Sequence, residues 1–112
     1  MITVQIERNE ERHINSFEMS GHADFGPHGQ DLVCAGASAI TFGAINAVAK
    51  LCQVKPDIDM EDDGGFLRCT IPAGIDVQTY EKVQLLFEGM LVALRSIEAE
   101  YGKHIKIQEY RR

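Results

Sequence analysis

Alternating apolar and polar residues at the start of the chain predict a pair of strands. Every second residue from Ile2 to Ile6 is apolar, and residues 9–12 are polar enough to form a turn. An apolar face resumes at Ile14, but its period of two breaks before Phe17. One extra residue in a strand has this effect. We therefore predict a β-hairpin with a bulge in its second strand.

Two longer stretches carry helix signals. Asp31 precedes an apolar run as a helix N-cap would, so we expect a helix from about Leu32 to Cys52, which Pro56 prevents from continuing. A second, amphipathic helix is predicted between Asp76 and Tyr101. Its apolar positions recur at steps of three and four residues: Tyr80, Val83, Phe87, Met90, Leu94, Ile97 and Tyr101.

The remaining segments complete a fold of mixed class. Residues 58–71 alternate around a DDGG turn and predict a second hairpin, and residues 103–110 predict a final strand. The order ββαββαβ indicates an α+β fold with two helices packed on a largely antiparallel sheet. A length of 112 residues fits one domain, residues 1–112, because a second core would leave too little apolar surface for the first.

The stretch from Leu32 to Ala49 contains no charged residue and has to be tested as a membrane span. Most of it is Ala, Gly, Ser, Thr and Asn, so its transfer into lipid would gain little free energy. We therefore expect a buried, closely packed helix and no membrane partner.

Composition and charge narrow the function classes. The chain is 45% hydrophobic and 25% charged, as soluble globular proteins are. With 11 Lys and Arg against 17 Asp and Glu, its formal net charge is −6, which argues against direct nucleic-acid binding and favours a basic partner. The first residues lack a basic start and an apolar signal core. Three cysteines without CxxC spacing suit a reducing compartment, so we expect a cytoplasmic protein.

A cysteine and a histidine flank the loop GHADFGPHGQ at residues 21–30 and are the candidates for chemistry. Cys34 lies in the first turn of the predicted helix, where the helix dipole and free N–H groups favour a thiolate. His22 is placed to take its proton and later to donate it to a leaving amine. The N–H groups from Cys34 to Gly36 are expected to hold an oxyanion, and the small residues Ala35 and Gly36 leave space for a carbonyl.

The other cysteines and histidines have structural interpretations. Cys52 and Cys69 lie among apolar residues and are expected in the core, whereas His13 and His104 each follow a charged residue and are expected to be solvated. His28 could join His22, Asp24 and Cys34 around a metal, but a Gly/Pro loop imposes no ligand geometry. We therefore predict neither a metal site nor a cofactor.

A longer motif gives a more specific signal. The sequence GHA at residues 21–23, GQDLVCAGASAI at residues 29–40 and the C-terminal YGKHIKIQEY resemble the ribosomal-processing cysteine protease family Prp. The resemblance implies a bacterial homodimeric cysteine endopeptidase. Its expected partner is the precursor of a large-subunit ribosomal protein, number twenty-seven, whose N-terminal extension it would remove by cleaving after an aromatic residue.

The resemblance also implies roles for individual residues. Cys34 matches the nucleophile and His22 the base, while Asp31 and Ser38 match recurring positions of the pattern DxVCAxxS as supporting residues. Residues 23–30 match a segment that is expected to be mobile when empty and to order around substrate. Its candidate substrate-contacting residues are Asp24, Phe25, Gly26, Pro27, His28 and Gly29. Apolar residues of the second helix beyond its core stripe favour the homodimer: Leu85, Leu86, Leu91 and Val92.

Two other function classes fit the same residues. A non-catalytic, ribosome-associated module could use the loop to hold a basic peptide, and it would tolerate replacement of Cys34. A thiol redox sensor would need a resolving cysteine, for which Cys52 or Cys69 would have to approach Cys34 in space. The role of Asp31 is also open, because it could orient His22 or cap the helix.

Overall fold

Five strands and two helices follow one another in the order predicted from the sequence. The computed structural model of the chain describes residues 1–112. The elements are β1 (Ile2–Arg8), β2 (Ile14–Ser20), α1 (Leu32–Leu51), β3 (Asp57–Met60), β4 (Phe66–Thr70), α2 (Val77–Tyr101) and β5 (Ile105–Arg111). Both helices lie on the sheet, which confirms the α+β fold class.

The five strands form one sheet in the order β3-β4-β2-β1-β5. All neighbouring pairs are antiparallel except β1 and β5, which are parallel, so the sheet is largely antiparallel as predicted. Glu7 pairs with Ser16 and Arg8 with Ile14, which leaves Asn15 as an extra residue in β2. The predicted bulge in the second strand is therefore confirmed.

One hydrophobic cluster of 21 buried residues fills the space between the helices and the sheet. α1 contributes a single buried stripe at helical spacing: Val33, Ala37, Thr41, Ile45 and Val48. The ring of Phe17 on β2 meets that of Phe87 on α2 edge to face, with centroids 5.3 Å apart. Val33, in the first turn of α1, belongs to the same cluster.

The outer face of α1 departs from the prediction of a closely packed, buried helix. Leu32 is 62% exposed and Leu51 is 71% exposed, because the sheet and α2 cover only one side of α1. By length and composition α1 could cross a membrane, but the core helix of a soluble protein passes the same test.

Two of the four apolar residues that were predicted to be in excess on α2 belong to the chain's own core. Leu91 is buried and Leu86 is half-buried against the core, because α2 covers the sheet with a wide stripe. Leu85 and Val92 remain 74% and 68% exposed. They are two helical turns apart and therefore lie on one outer face of α2.

Candidate active site

A cavity of about 440 Å³ opens where α1 begins. It is bounded by the loop between β2 and α1 and by the turn between β3 and β4. Nine residues singled out from the sequence line it: His22, Asp24, Gly26, His28, Gly29, Asp31, Cys34, Ala35 and Ser38. The volume falls within the range of small-molecule and peptide side-chain pockets, about 300–1,000 Å³.

Asp31 ties the loop to the beginning of α1. Its Oδ1 accepts hydrogen bonds from the N–H groups of Val33 and Cys34, both at 3.0 Å, which makes it the N-cap. Its Oδ2 accepts hydrogen bonds from Phe25 N at 2.8 Å and from Gly26 N at 3.2 Å. Both oxygens are thus committed to backbone donors, and no hydrogen bond joins Asp31 to His22.

These hydrogen bonds also keep Asp31 ionised inside the protein. The pKa of the Asp31 carboxyl is lowered, and the hydrogen bond from the N–H of Cys34 has the largest effect. Burial acts in the opposite direction and raises this pKa. The N–H groups of Phe25, Gly26 and Val33 lower it further. A negative charge at the N-terminus of α1 is favoured by the helix dipole. The structure therefore assigns helix capping and loop anchoring to Asp31.

Cys34 is the half-buried thiol that faces the cavity. Its Sγ accepts a hydrogen bond from the N–H of Ala23 at 3.3 Å. All three cysteines are free, and burial raises the pKa of the Cys69 thiol to about 12. Cys69 is 1% exposed in the core, as predicted. Cys52 is half-buried and packs against the core as the C-cap of α1.

His22 lies on the same cavity but makes no hydrogen bond to Cys34. Its ring meets that of His28 edge to face, with centroids 5.6 Å apart. Gly21, just before it, has a φ of +85°, and a Cβ there would lie 2.4 Å from the carbonyl oxygen of Met1. Only glycine fits this position, so the backbone entering His22 is closely constrained.

Two observations bear on the N–H groups that were predicted to hold the oxyanion. Cys34 N already donates to Asp31 Oδ1, and Ala35 N donates to the Asp31 carbonyl oxygen at 3.0 Å. A Cβ on Gly36 would lie 3.3 Å from Ile97 Cδ1, so Gly36 faces α2 and does not line the cavity. The expectation that Gly36 makes room for a carbonyl is therefore wrong, because two residues along a helix turn the side chain away from Cys34.

The loop has more fixed contacts than its composition suggests. Phe25 packs edge to face on Tyr101 and His104, with centroids 5.3 and 5.2 Å away. His104 Nδ1 lies 2.9 Å from the Ala23 carbonyl oxygen. His104 is half-buried, so its predicted place in solvent is wrong: β5 pairs with β1 and brings this residue beneath the loop. His13 is exposed, as predicted. The mobility of residues 23–30 stays a prediction.

Five lining residues were not singled out from the sequence as site residues: Ile2, Met19, Gly21, Asp63 and Gly64. Residues 62–65 were recognised as a turn, but their place beside His22 depends on pairing between β2 and β4. Ser20 pairs with Phe66, and Gly21 N donates to the Gly65 carbonyl oxygen at 2.9 Å. No group of three or more His, Cys, Asp or Glu residues is arranged to hold a metal ion.

Known proteins resemble this chain over nearly its full length. A family model described as cysteine protease Prp matches residues 1–106. A Bacillus subtilis (strain 168) protein named ribosomal processing cysteine protease Prp is 46% identical over 107 residues, covering 96% of each chain. A protein of the same name from Staphylococcus aureus (strain Mu50 / ATCC 700699) is 42% identical over 107 residues, covering 96% of this chain and 97% of that protein.

The fold agrees with the sequence comparison. The crystal structure of an essential ribosomal processing protease Prp from S. aureus, in complex with a covalently linked product peptide, has a TM-score of 0.89 and 40% identity. The similarity covers 98% of this chain and 100% of that one. The same S. aureus protease in complex with a substrate peptide has a TM-score of 0.84 and 39% identity over 98% and 100%. This chain belongs to the Prp family of cysteine proteases.

Proposed function

We propose that this protein is a cysteine endopeptidase in which Cys34 is the nucleophile and His22 is the general base. The observation that carries the proposal is the shared cavity, which brings His22 to the half-exposed Cys34 at the capped start of α1. Membership of a cysteine protease family agrees with this assignment. The expected substrate is a ribosomal protein precursor with an N-terminal extension, the large-subunit protein number twenty-seven.

The reaction follows from the groups at the cavity. His22 accepts the thiol proton of Cys34 while the sulfur attacks the carbonyl carbon of the scissile peptide bond. The C–N bond then breaks, and His22 donates the proton to the departing amine. Water attacks the remaining thioester, and the C–S bond breaks to regenerate the thiol. The two side chains make no hydrogen bond to each other in the structure, and such bonds often tighten only when substrate binds.

The lining of the cavity supports cleavage after an aromatic residue. Ile2, Met19 and Ala35 give the cavity that Cys34 lines an apolar portion. The rim contains the carboxylates of Asp24 and Asp63, which suit a substrate with basic residues beyond its apolar anchor. For the S. aureus relative, complexes with a substrate peptide and with a covalently linked product peptide have been solved.

The expected setting is a homodimer in the cytoplasm, without direct nucleic-acid or membrane contact. Leu85 and Val92 supply an exposed apolar stripe on α2 that a second copy would cover. Three free thiols suit a reducing compartment. The net charge of −6 disfavours contact with phosphates.

The proposal is tested by incubating the purified protein with the extended ribosomal protein and locating new N-termini by mass spectrometry. We expect one cut, after an aromatic residue of the extension. A precursor in which that aromatic residue is replaced by Ala serves as the matched control and should be cut much more slowly. Binding without cleavage would favour the non-catalytic peptide-binding module instead.

A further inference from the structure

We propose that the turn between β3 and β4 positions the imidazole of His22, with Asp63 and Gly65 as the positioning residues. The inference rests on the proposed role of His22 as the base. It adds a third chain segment to a site that the sequence motif places entirely in residues 21–38. Neither Asp63 nor Gly65 touches the sulfur, so both act on the reaction through His22.

Gly65 leaves the space that the His22 ring occupies. A Cβ built on Gly65 would lie 3.3 Å from His22 Nε2 and 3.3 Å from Asp63 Oδ1. Contacts this short are tight for carbon, so a methyl group would push the ring or the carboxylate by a few tenths of an ångström. A side chain at position 65 would therefore displace the imidazole or the Asp63 carboxylate from its place in the structure.

Asp63 holds the turn in the shape that creates this space. Its Oδ1 accepts a hydrogen bond from Gly65 N at 2.9 Å, and Gly64 N donates to the Glu61 carbonyl oxygen at 3.1 Å. Asn can form the same bond between its side-chain oxygen and Gly65 N, whereas Ala cannot. Oδ2 of Asp63 makes no hydrogen bond within the protein, and Asp63 lines the cavity.

The turn and His22 are linked through the backbone as well. Gly21 N donates to the Gly65 carbonyl oxygen at 2.9 Å, so the residue before His22 is fixed to the turn. β4 continues from the turn in antiparallel pairing with β2, which leads into Gly21. A displacement of the turn would therefore move His22 in two ways, through the backbone before it and through the edge of its imidazole ring.

Among the carboxylates that line the cavity, only Asp63 belongs to the turn beside His22. Asp31 is committed to four backbone donors, and Asp24 lies 3.4 Å from the N-terminal amine. His28 faces the ring of His22 from the other side of the loop. The titratable groups that line the cavity with His22 are Asp24, His28, Asp31, Cys34 and Asp63.

The first test compares Gly65→Ala with Gly43→Ala. Gly43 lies on the exposed side of α1, and a Cβ there would meet nothing within 4 Å, so it controls for the loss of a glycine. We expect Gly65→Ala to lower kcat about tenfold with KM little changed, because sub-ångström misplacement of a catalytic group is costly. Gly43→Ala should cleave as the wild type does. Equal kcat in Gly65→Ala and Gly43→Ala would overturn the proposal.

The second test separates positioning from simple stability. Asp63→Ala should lose activity about as much as Gly65→Ala, and Asp63→Asn should restore most of it because the bond to Gly65 N returns. Asp62→Ala, at a neighbouring exposed carboxylate, is the matched control. Asp63→Ala cleaving as fast as Asp62→Ala would overturn the proposal, even if Gly65→Ala fails to fold. So would Asp63→Asn remaining as slow as Asp63→Ala.

A substrate-free readout keeps this inference separate from the proposed function. The rate of Cys34 alkylation by iodoacetamide is followed across pH for each variant, with His22→Ala as the reference for a lost base. Gly65→Ala and Asp63→Ala should shift the profile towards that of His22→Ala, while Gly43→Ala should match the wild type. If wild type and His22→Ala gave identical pH profiles, the proposed role of His22 as the base would be refuted. If His22→Ala differed from the wild type but Gly65→Ala did not, only the positioning role would be refuted.

Discussion

Cys34 and Cys69 of this protein should differ by orders of magnitude in their reaction with iodoacetamide. Cys34 is half-exposed at the cavity, whereas Cys69 is 1% exposed and has its pKa raised to about 12 by burial. Near pH 8 a thiol with that pKa is ionised to about one part in 10⁴, against about a quarter for an ordinary thiol with a pKa near 8.5. Since only the thiolate reacts, ionisation alone should slow Cys69 by roughly 2,000-fold.

Intact mass and peptide mapping after timed quenching measure the three rates separately. In the folded protein Cys34 should be labelled first, and loss of cleavage should follow its label mole for mole. In concentrated urea the burial that raises the pKa of Cys69 is gone, so all three thiols should react at similar rates. Native Cys69 labelled within tenfold of the rate of Cys34 would refute the reasoning from burial.

Three other outcomes are expected. Asp31→Asn should have a lower free energy of unfolding than the wild type at neutral pH in urea titrations. Folding lowers the pKa of Asp31 from its ordinary 3.8, so this difference in free energy should be complete above about pH 4 and should vanish as pH falls through the folded pKa. A difference that stays constant with pH would contradict this reasoning. Leu85→Lys combined with Val92→Lys should sediment as a monomer where the wild type sediments as a dimer at micromolar concentration, and a monomeric wild type would argue against the dimer. Amide exchange at His28 and Gly29 should be faster than in α1 and should slow when substrate peptide binds, since their N–H groups make no hydrogen bond within the protein. Exchange there as slow as in the helices would contradict the predicted mobility of the loop.

Features that depend on neighbouring residues were predictable from the sequence. Asp31 is the N-cap of α1 because a carboxylate there reaches the N–H groups two and three residues on. The periodic apolar residues of α2 and the bulge in β2 could likewise be predicted from the local order of apolar and polar residues. Helix geometry could also have corrected the role of Gly36, since Cys34 and Ser38 share a face that Gly36 does not.

Features that depend on strand pairing were not predictable in this way. The turn at Asp63 and Gly65 reaches His22 only because β4 lies beside β2. His104 lies beneath the loop only because β5 pairs with β1 at the opposite edge. Each contact joins residues tens of positions apart, and a single sequence carries no periodic signal for such a meeting.

The measurement that tests the central claim most directly is cleavage of the extended ribosomal protein by Cys34→Ala beside the wild type. The thiol is half-buried and its sulfur accepts one long hydrogen bond, so the substitution should change the melting temperature little. Cleavage should fall by about 10⁴-fold or more, because the nucleophile is gone, while the precursor still binds. Cys34→Ala that cuts the precursor at a rate near that of the wild type would show that Cys34 is not the nucleophile.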